Sequence, residues 1–425
     1  MSYENSLFDF IEKSKTPYHT VETVKDALLS AGFDEIDEGD FARASDGGRH
    51  FVIRSDSSII AFKGRLGVGG FMISATHSDT PTFKVKATDT DGTYARLTVE
   101  GYGGMINHTW LDRPLSVAGR VVIRDEDKLS VRLVSIDRDL VTIPSVAIHL
   151  NRSVNDGVKL NHAVDMLPLI GISGEVSLRE LLAEEISVDS EKIVDYDLYL
   201  YNRMKPTVIG SKGDVVLSPR IDDLASVYAC LQGFLKSDAR EGVSVLCVFD
   251  NEEVGSSTKQ GAASTFLEDT LIAVAGGRRE YKRALISSFM VSCDNAHARH
   301  PHHPELSDAK SSPVLGGGVV VKYNANQRYA TDSVSASIFK TAAALCGEKT
   351  QEYHNRADMP GGSTLGSISN TKVSVSTVDV GLPQLAMHSS CECCASSDVA
   401  SLVNIMTELY SSYILKNKKD IQIKK

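Results

Sequence analysis

The sequence predicts an α/β protein: a three-layer domain whose mixed sheet is covered by helices, interrupted by an inserted β-rich domain. Three observations lead there. Apolar runs of strand length alternate with segments of helical period at both ends of the chain. From about residue 93 to 210 that alternation gives way to β segments rich in Val, Arg and Ile. The chain has 425 residues, 42% of them hydrophobic, which exceeds one ordinary domain. The covered sheet is therefore assigned to residues 1–92 and 211–425, and the insert to 93–210.

Taken in order, Val21, Val24, Leu28 and Leu29 fall near 3.6-residue spacing and Gly32 can stop the helix, so 21–32 is predicted helical. Residues 51–54 and 58–62 read as short strands. Residues 70–76 read as a buried strand, with His77 at its carboxyl end. In the insert, 116–123 and 128–134 read as strands, and helical period is confined mainly to 177–185. Leu224, Val227, Tyr228, Leu231, Phe234 and Leu235 restore a helical period, and 243–249, 284–292 and 373–380 read as further strands.

Composition narrows the function. A net charge of −10 disfavours a nucleic-acid partner, since phosphate binding requires a basic face. It does not exclude an acidic substrate in a locally basic pocket. Glu4 and Asp9 interrupt the N-terminal stretch, which has no secretory pattern, and no run is long enough to span a membrane. Seven irregularly placed cysteines do not read as a disulfide framework, so the expected location is the reducing cytoplasm. The basic tail, 416–425, is expected to fray.

The chemistry lies in clusters that follow apolar runs: His77-Ser78-Asp79, Arg220-Ile221-Asp222-Asp223, Asn251-Glu252-Glu253, Cys293-Asp294-Asn295-Ala296-His297 and Met387-His388-Ser389. Ligands in open α/β sheets collect at the carboxyl ends of strands, which is where His77, Glu252, Glu253 and Asp294 are predicted to sit. Asp79 has the spacing to orient the His77 imidazole, although the tripeptide by itself also suits a capped surface loop. Asp222 fits a helix N-cap equally well, but among the other clusters it suits a carboxylate bridging two cations. Glu252 and Glu253 are adjacent carboxylates, costly to place together unless a cation or proton relieves their repulsion. One can ligate while the other accepts a proton. Near Asp294, His297, His300, His302 and His303 are competing ligands, and His388 could equally be a core histidine. The chemistry that fits is metal-assisted hydrolysis, with Glu252 taking a proton from water and returning it to a leaving amine.

Several segments carry a family resemblance: Thr16-Pro17-Tyr18-His19, His77-Ser78-Asp79-Thr80-Pro81, Pro219-Arg220-Ile221-Asp222, Asp250-Asn251-Glu252-Glu253-Val254-Gly255-Ser256, Gln327-Arg328-Tyr329-Ala330 and Ala386-Met387-His388-Ser389. With them the chain resembles the aspartyl aminopeptidase family of dizinc exopeptidases, nearly end to end. The resemblance implies that the insert is a dimerisation domain, that twelve subunits form a tetrahedral assembly, and that peptides lose an N-terminal residue, often Asp or Glu. It implies two zinc ions per subunit held by His77, Asp222, Glu253, Asp294 and His388, with Asp222 bridging and Glu252 as base. Manganese or cobalt could replace zinc at one position. Lys322 matches a family lysine that meets an acidic substrate side chain, Tyr329 a tyrosine near the substrate, and Gly362 part of a loop close to the pocket.

There are departures. Ser390-Cys391-Glu392 stands where many members carry Arg-Glu, and Asp165 precedes Met166-Leu167-Pro168 where eukaryotic members tend to show a histidine. The missing arginine bears on specificity or packing, and Asp165 suits a microbial branch in which acidic specificity is less assured. Cys391, Cys393 and Cys394 are too crowded for a usual structural zinc site and read as reduced thiols. The competing functions are the same chemistry with broad or neutral N-terminal specificity, and a metal-stabilised assembly protein without turnover. The retained Glu252 argues against the latter.

Overall fold

The structure is a computed structural model that describes residues 3–172, 176–238, 241–417 and 419–425. The chain divides into two compact units. One comprises Met1–Asp79, Pro206–Met387 and Glu392–Lys425, and the other Thr80–Lys205 with His388–Cys391.

The first unit is built on a nine-stranded sheet in the order Asp34–Glu35, Arg49–Arg54, Ser58–Gly64, Val243–Phe249, Phe71–His77, Phe289–Cys293, Ser376–Gly381, Val319–Tyr323, Thr350–His354. The central strands run parallel, with Phe249 opposite His77. Ser58–Gly64 and Val319–Tyr323 run antiparallel to their inner neighbours, so the sheet is mixed. Side chains alternate between two cores. Leu246 and Val248 join one with Leu224, Tyr228 and Leu231 of the Ile221–Lys236 helix and Leu402, Met406 and Leu409 of the Ser396–Tyr410 helix. Val245 and Cys247 join the other with Phe266 and Leu271 of the Phe266–Val274 helix. This period of two with both faces apolar explains why the strand reads as an unbroken hydrophobic run. Each large side chain buried there, such as Phe234, Phe249 or Phe289, contributes about 1.5–3 kcal/mol.

A five-stranded sheet in the same unit orders Thr207–Ile209, Val215–Ser218, Glu392–Ala395, Pro383–Leu385 and Ala296–His297. Two of its members continue chains that leave the central sheet at carboxyl ends, after Cys293 and after Gly381. It therefore gathers the segments around Asp222, Asp294 and Glu392.

The second unit holds a six-stranded sheet, every pairing of which is antiparallel: Lys128–Ser135, Leu115–Asp125, Ile193–Asn202, Thr82–Thr90, Ala95–Tyr102, Leu169–Gly171. Phe83, Leu97, Val117, Val121 and Leu198 pack with Trp110 and with Leu182 of the Leu178–Glu185 helix. Among the described residues no helix is long and apolar enough to cross a membrane.

Several local readings of the sequence differ from the structure. The unit boundary falls at Asp79/Thr80 rather than near residue 93, because Thr82–Thr90 pairs with Ala95–Tyr102 and Ile193–Asn202. His388–Cys391 groups with the second unit rather than with 211–425. There Ile106 N–H donates to His388 O at 3.0 Å and Asn202 Nδ2 to Ser390 O at 2.8 Å. A helix at Tyr3–Lys13 precedes the one read at 21–32, and the latter spans Pro17–Ser30, its opening turn hidden in the sequence by polar residues after Pro17. Residues 284–287 close a helix and form a 3-10 turn, leaving Ile286 exposed, so the strand is Phe289–Cys293. The third late strand begins at Ser376, since Val373 and Val375 pack beneath the sheet instead. The tail forms a hairpin, Tyr413–Asn417 with Asp420–Lys424, anchored by Ile414, Ile421 and Ile423; Lys418 lies outside the described residues.

Gly381 ends the Ser376–Gly381 strand where an added Cβ would collide with the Asp294 carbonyl. Gly381→Ala should lower the unfolding free energy by about 1–3 kcal/mol through overpacking. Urea denaturation measures this, and an unchanged midpoint would contradict the packing described.

Candidate metal centre

His77 is buried at the end of the Phe71–His77 strand, and its backbone N–H donates to Asp223 Oδ2 at 3.2 Å. Its ring Nδ1 lies 3.0 Å from the Asp79 carbonyl oxygen and 3.5 Å from Asp79 Oδ1. That contact keeps a proton on Nδ1 and turns Nε2, the nitrogen free to ligate, toward the acids. Nε2 faces Asp222 Oδ1 at 3.5 Å and Asp294 Oδ1 at 3.9 Å. The Asp79 carboxylate has a second task. Oδ1 accepts the Glu252 N–H and Oδ2 the Glu253 N–H, each at 3.1 Å, so it fastens the glutamate turn to the histidine loop.

That turn follows the Val243–Phe249 strand. Asn251 adopts a left-handed φ of 63° and Gly255 one of 96°, which bracket the short Glu252–Val254 3-10 turn. Left-handed asparagine is uncommon and persists where surrounding bonds over-determine it. Here Asn251 Oδ1 accepts Thr258 Oγ1 at 2.9 Å and Gln260 Nε2 at 3.0 Å, and Asp250 Oδ1 accepts the Asn251 N–H at 2.7 Å.

Asp222 and Asp223 open the Ile221–Lys236 helix with non-helical backbone angles, behind Arg220 at φ 58°, and the peptide between them is cis. Asp294 leaves the Phe289–Cys293 strand with its N–H on Val380 O at 3.0 Å. His77, Asp222, Asp223 and Asp294 each offer a ligand atom within 4.8 Å of the others, and His77, Glu252 and Glu253 do likewise. His297, His300, His302 and His303 fall in no such group among the described residues. Asp223 stands in a cluster read from the sequence but carried no role there; its only signal was adjacency to Asp222.

The electrostatics of these groups in the metal-free protein are those of a site built for cations. Burial, then Asp294, pushes the Glu252 carboxyl up to about 8. Burial, then Asp79, raises Asp250 to about 7. Burial also raises Asp223 well above the carboxylate range, with Asp294 and Asp222 adding to it. Burial opposes charge on His77, yet Asp223, Asp222, Asp294 and Asp79 outweigh it and lift its pKa. Imidazole nitrogen and carboxylate oxygen are the donors zinc takes in catalytic centres, so the residues present fit the ion.

The three residues matched to substrate contacts lie in the same unit. Lys322 is 2% exposed. Its Nζ donates to Asp294 O at 2.7 Å and Asn295 O at 3.2 Å, and lies 3.4 Å from Asp294 Oδ2 and 5.1 Å from the Tyr329 ring centre. Burial works against its charge, but Asp294, Tyr329 and Asp379 hold it protonated. Buried Tyr329 precedes Ala330, whose N–H donates to Asp379 Oδ2 at 2.5 Å. Thr364 Oγ1 donates to Asp379 Oδ1 at 2.5 Å, so one buried carboxylate ties the Tyr329 segment to the segment after exposed Gly362. In the second unit, His388 has φ 66°, and its Nδ1 lies 2.8 Å from the Gly104 carbonyl oxygen.

Comparison with known proteins agrees with this chemistry. Residues 10–410 match the family described as aminopeptidase I zinc metalloprotease (M18). A probable M18 family aminopeptidase 2 of Clostridium novyi is 40% identical over 428 residues, covering 97% of this chain and 99% of the relative. Its counterpart in Pseudomonas entomophila is 38% identical over 419 residues, covering 96% and 97%. Among solved structures, a chain in the cryo-EM structure of the Ape4 and Nbr1 complex superposes with a TM-score of 0.92 at 35% identity, covering 96% of this chain and 85% of that one. The S. cerevesiae mApe1 dodecamer gives 0.83 at 25% identity, covering 96% of each. The chain belongs to the M18 family of zinc metalloprotease aminopeptidases.

Proposed function

We propose that this M18 aminopeptidase is a dizinc enzyme that removes the N-terminal residue of peptides, with Glu252 as general base and a preference for Asp or Glu. The observation that carries the reading is the convergence of Asp222 and Asp294, and of the half-buried Glu252 and Glu253, on the buried His77 imidazole. His77, Asp222, Glu253 and Asp294 are the proposed ligands in this unit, and the family resemblance adds His388. Asp222 would be the carboxylate that both ions share, its negative charge offsetting the repulsion between neighbouring cations. Bound zinc supplies Lewis-acid polarisation of a carbonyl and lowers the pKa of water. Glu252 accepts the proton from the attacking water and delivers it to the departing amine. Asp79 fixes both the His77 ring and the backbone that presents Glu252. Tyr329 and Gly362 are assigned to substrate contact, and Lys322 to the acidic side chain, where an ammonium offsets desolvation of a carboxylate. One of the two zinc positions is assigned as exchangeable with manganese or cobalt.

Self-association through the insert belongs to the same proposal, as a tetrahedral dodecamer. Val146, Ile148, Leu150 and Val164 are exposed in the second unit, apolar side chains that another subunit would bury. The similar S. cerevesiae chain is described as a dodecamer. The odd number of cysteines supports a cytoplasmic site of action.

A broader specificity is favoured by one observation: the Lys322 ammonium is already engaged by the Asp294 carboxylate and two backbone carbonyls. Lys322→Ala separates the readings. A lysine that reads the substrate costs activity selectively on Asp- and Glu-terminated peptides. Equal losses on Leu- and Ala-terminated peptides assign it to the centre itself.

Zinc-loaded protein is expected to release the first residue from a panel of Asp-, Glu-, Leu- and Ala-terminated peptides, with the acidic ones fastest. Release from none of them would refute the proposal. Glu252→Gln should lower kcat by about 10²–10⁴-fold while bound zinc, read by elemental analysis, stays unchanged. Wild-type turnover in that variant would remove Glu252 from the mechanism.

A further inference from the structure

Behind the proposed ligands lies a chain of buried polar side chains that none of the chemistry above uses. Asp222 N–H donates to Glu392 Oε2 at 3.0 Å. Gln384 Nε2 donates to Glu392 Oε1 at 3.4 Å. Asn295 Nδ2 donates to Gln384 Oε1 at 2.8 Å and to Ile221 O at 3.0 Å. Ser226 Oγ donates to Asn295 Oδ1 at 2.9 Å. Glu392, Gln384, Asn295 and Ser226 are all buried, at 2%, 1%, 3% and 0% exposure.

The path begins on the backbone of one proposed ligand, Asp222, and ends on the residue after another, Asp294. It crosses three separately folded segments: the start of the Ile221–Lys236 helix, the Pro383–Leu385 strand and the Glu392–Ala395 strand. Gln384 is the central link, with its amide oxygen on Asn295 and its amide nitrogen on Glu392. Asn295 also closes the loop locally, since its other acceptor is the carbonyl of Ile221, the residue before Asp222. A buried polar network whose members hydrogen-bond one another is rigid, because breaking a link leaves a buried donor or acceptor unpaired at about 1–3 kcal/mol.

We propose that Asn295, Gln384 and Glu392 form a positioning network that fixes the separation of Asp222 and Asp294 and thereby sets the affinity of the centre for zinc. The inference rests on the reading of Asp222 and Asp294 as metal ligands. The network touches neither substrate nor the reacting atoms. It acts through the backbone of the ligand loops, as outer-shell partners do in metalloproteins generally. It also gives Glu392 a task in the Ser390-Cys391-Glu392 segment, where this chain departs from its resemblance.

The test is zinc affinity, measured by competition with a chromogenic chelator on the full chain, beside the thermal unfolding of the metal-free protein. Gln384→Met preserves length and removes both amide contacts. Its zinc dissociation constant should rise by about 10–100-fold, and the gain in Tm on adding zinc should shrink. Ser226→Ala is the milder change: it removes the hydroxyl that donates to Asn295 and also meets the Asp223 carboxyl. It should weaken zinc in the same direction by a smaller factor. Unchanged zinc affinity in both variants, with metal-free and zinc-loaded Tm falling together, would overturn the inference and leave the network a structural feature. Should Gln384→Met fail to fold, an unchanged zinc affinity in Ser226→Ala overturns it. A wild-type chain that takes up no zinc overturns the metal-centre reading and this inference with it, which separates the two failures.

Discussion

Crowding of buried carboxylates is the constraint on which the structure depends. Asp79, Asp222, Asp223, Glu252, Glu253 and Asp294 meet at the carboxyl ends of neighbouring strands, with the His77 imidazole and the Lys322 ammonium among them. Two like charges about 4 Å apart repel by roughly 4 kcal/mol even at an effective dielectric constant of 20. A metal-free chain relieves that repulsion by holding protons, which is why burial and mutual repulsion push Glu252 up to about 8. Cations relieve it without protonation and leave the carboxylates free to ligate and to act as bases. Lys322 supplies one fixed positive charge, placed on Asp294.

The fold meets this constraint by topology. Parallel central strands point their carboxyl ends the same way, so loops distant in sequence open at one edge. The small second sheet then fastens those loops to each other, as the pairing of Val215–Ser218 with Glu392–Ala395 illustrates. Left-handed residues at Arg220 and Asn251 turn the chain sharply where it presents its acids. Such conformations are costly and cluster where geometry matters. Apolar cores on both faces of the sheet supply the stability against which that strain is held.

Much of this was legible in the chain. The covered sheet was readable because its strands are apolar on both faces, and the clusters around His77, Glu252 and Asp294 because each follows such a strand. What stayed hidden has physical causes. The unit boundary was misplaced because Thr82–Thr90 is too polar at its outer end to look like part of a sheet core. The terminal hairpin was obscured by lysines flanking Ile421 and Ile423. Asp379 and Gln384 are polar residues flanked by apolar ones in short strands, and nothing in one sequence says what such a residue touches. Whether Asp294 or a neighbouring histidine joins the cluster is likewise a matter of three-dimensional placement, since spacing in the loop permits either.

The most direct measurement is anomalous scattering at the zinc edge from crystals grown with the metal. The account predicts two strong peaks among His77, Asp222, Glu253 and Asp294, with the Asp222 carboxylate shared between them. A single ion bound elsewhere, or these side chains in place around no anomalous density at all, would contradict it.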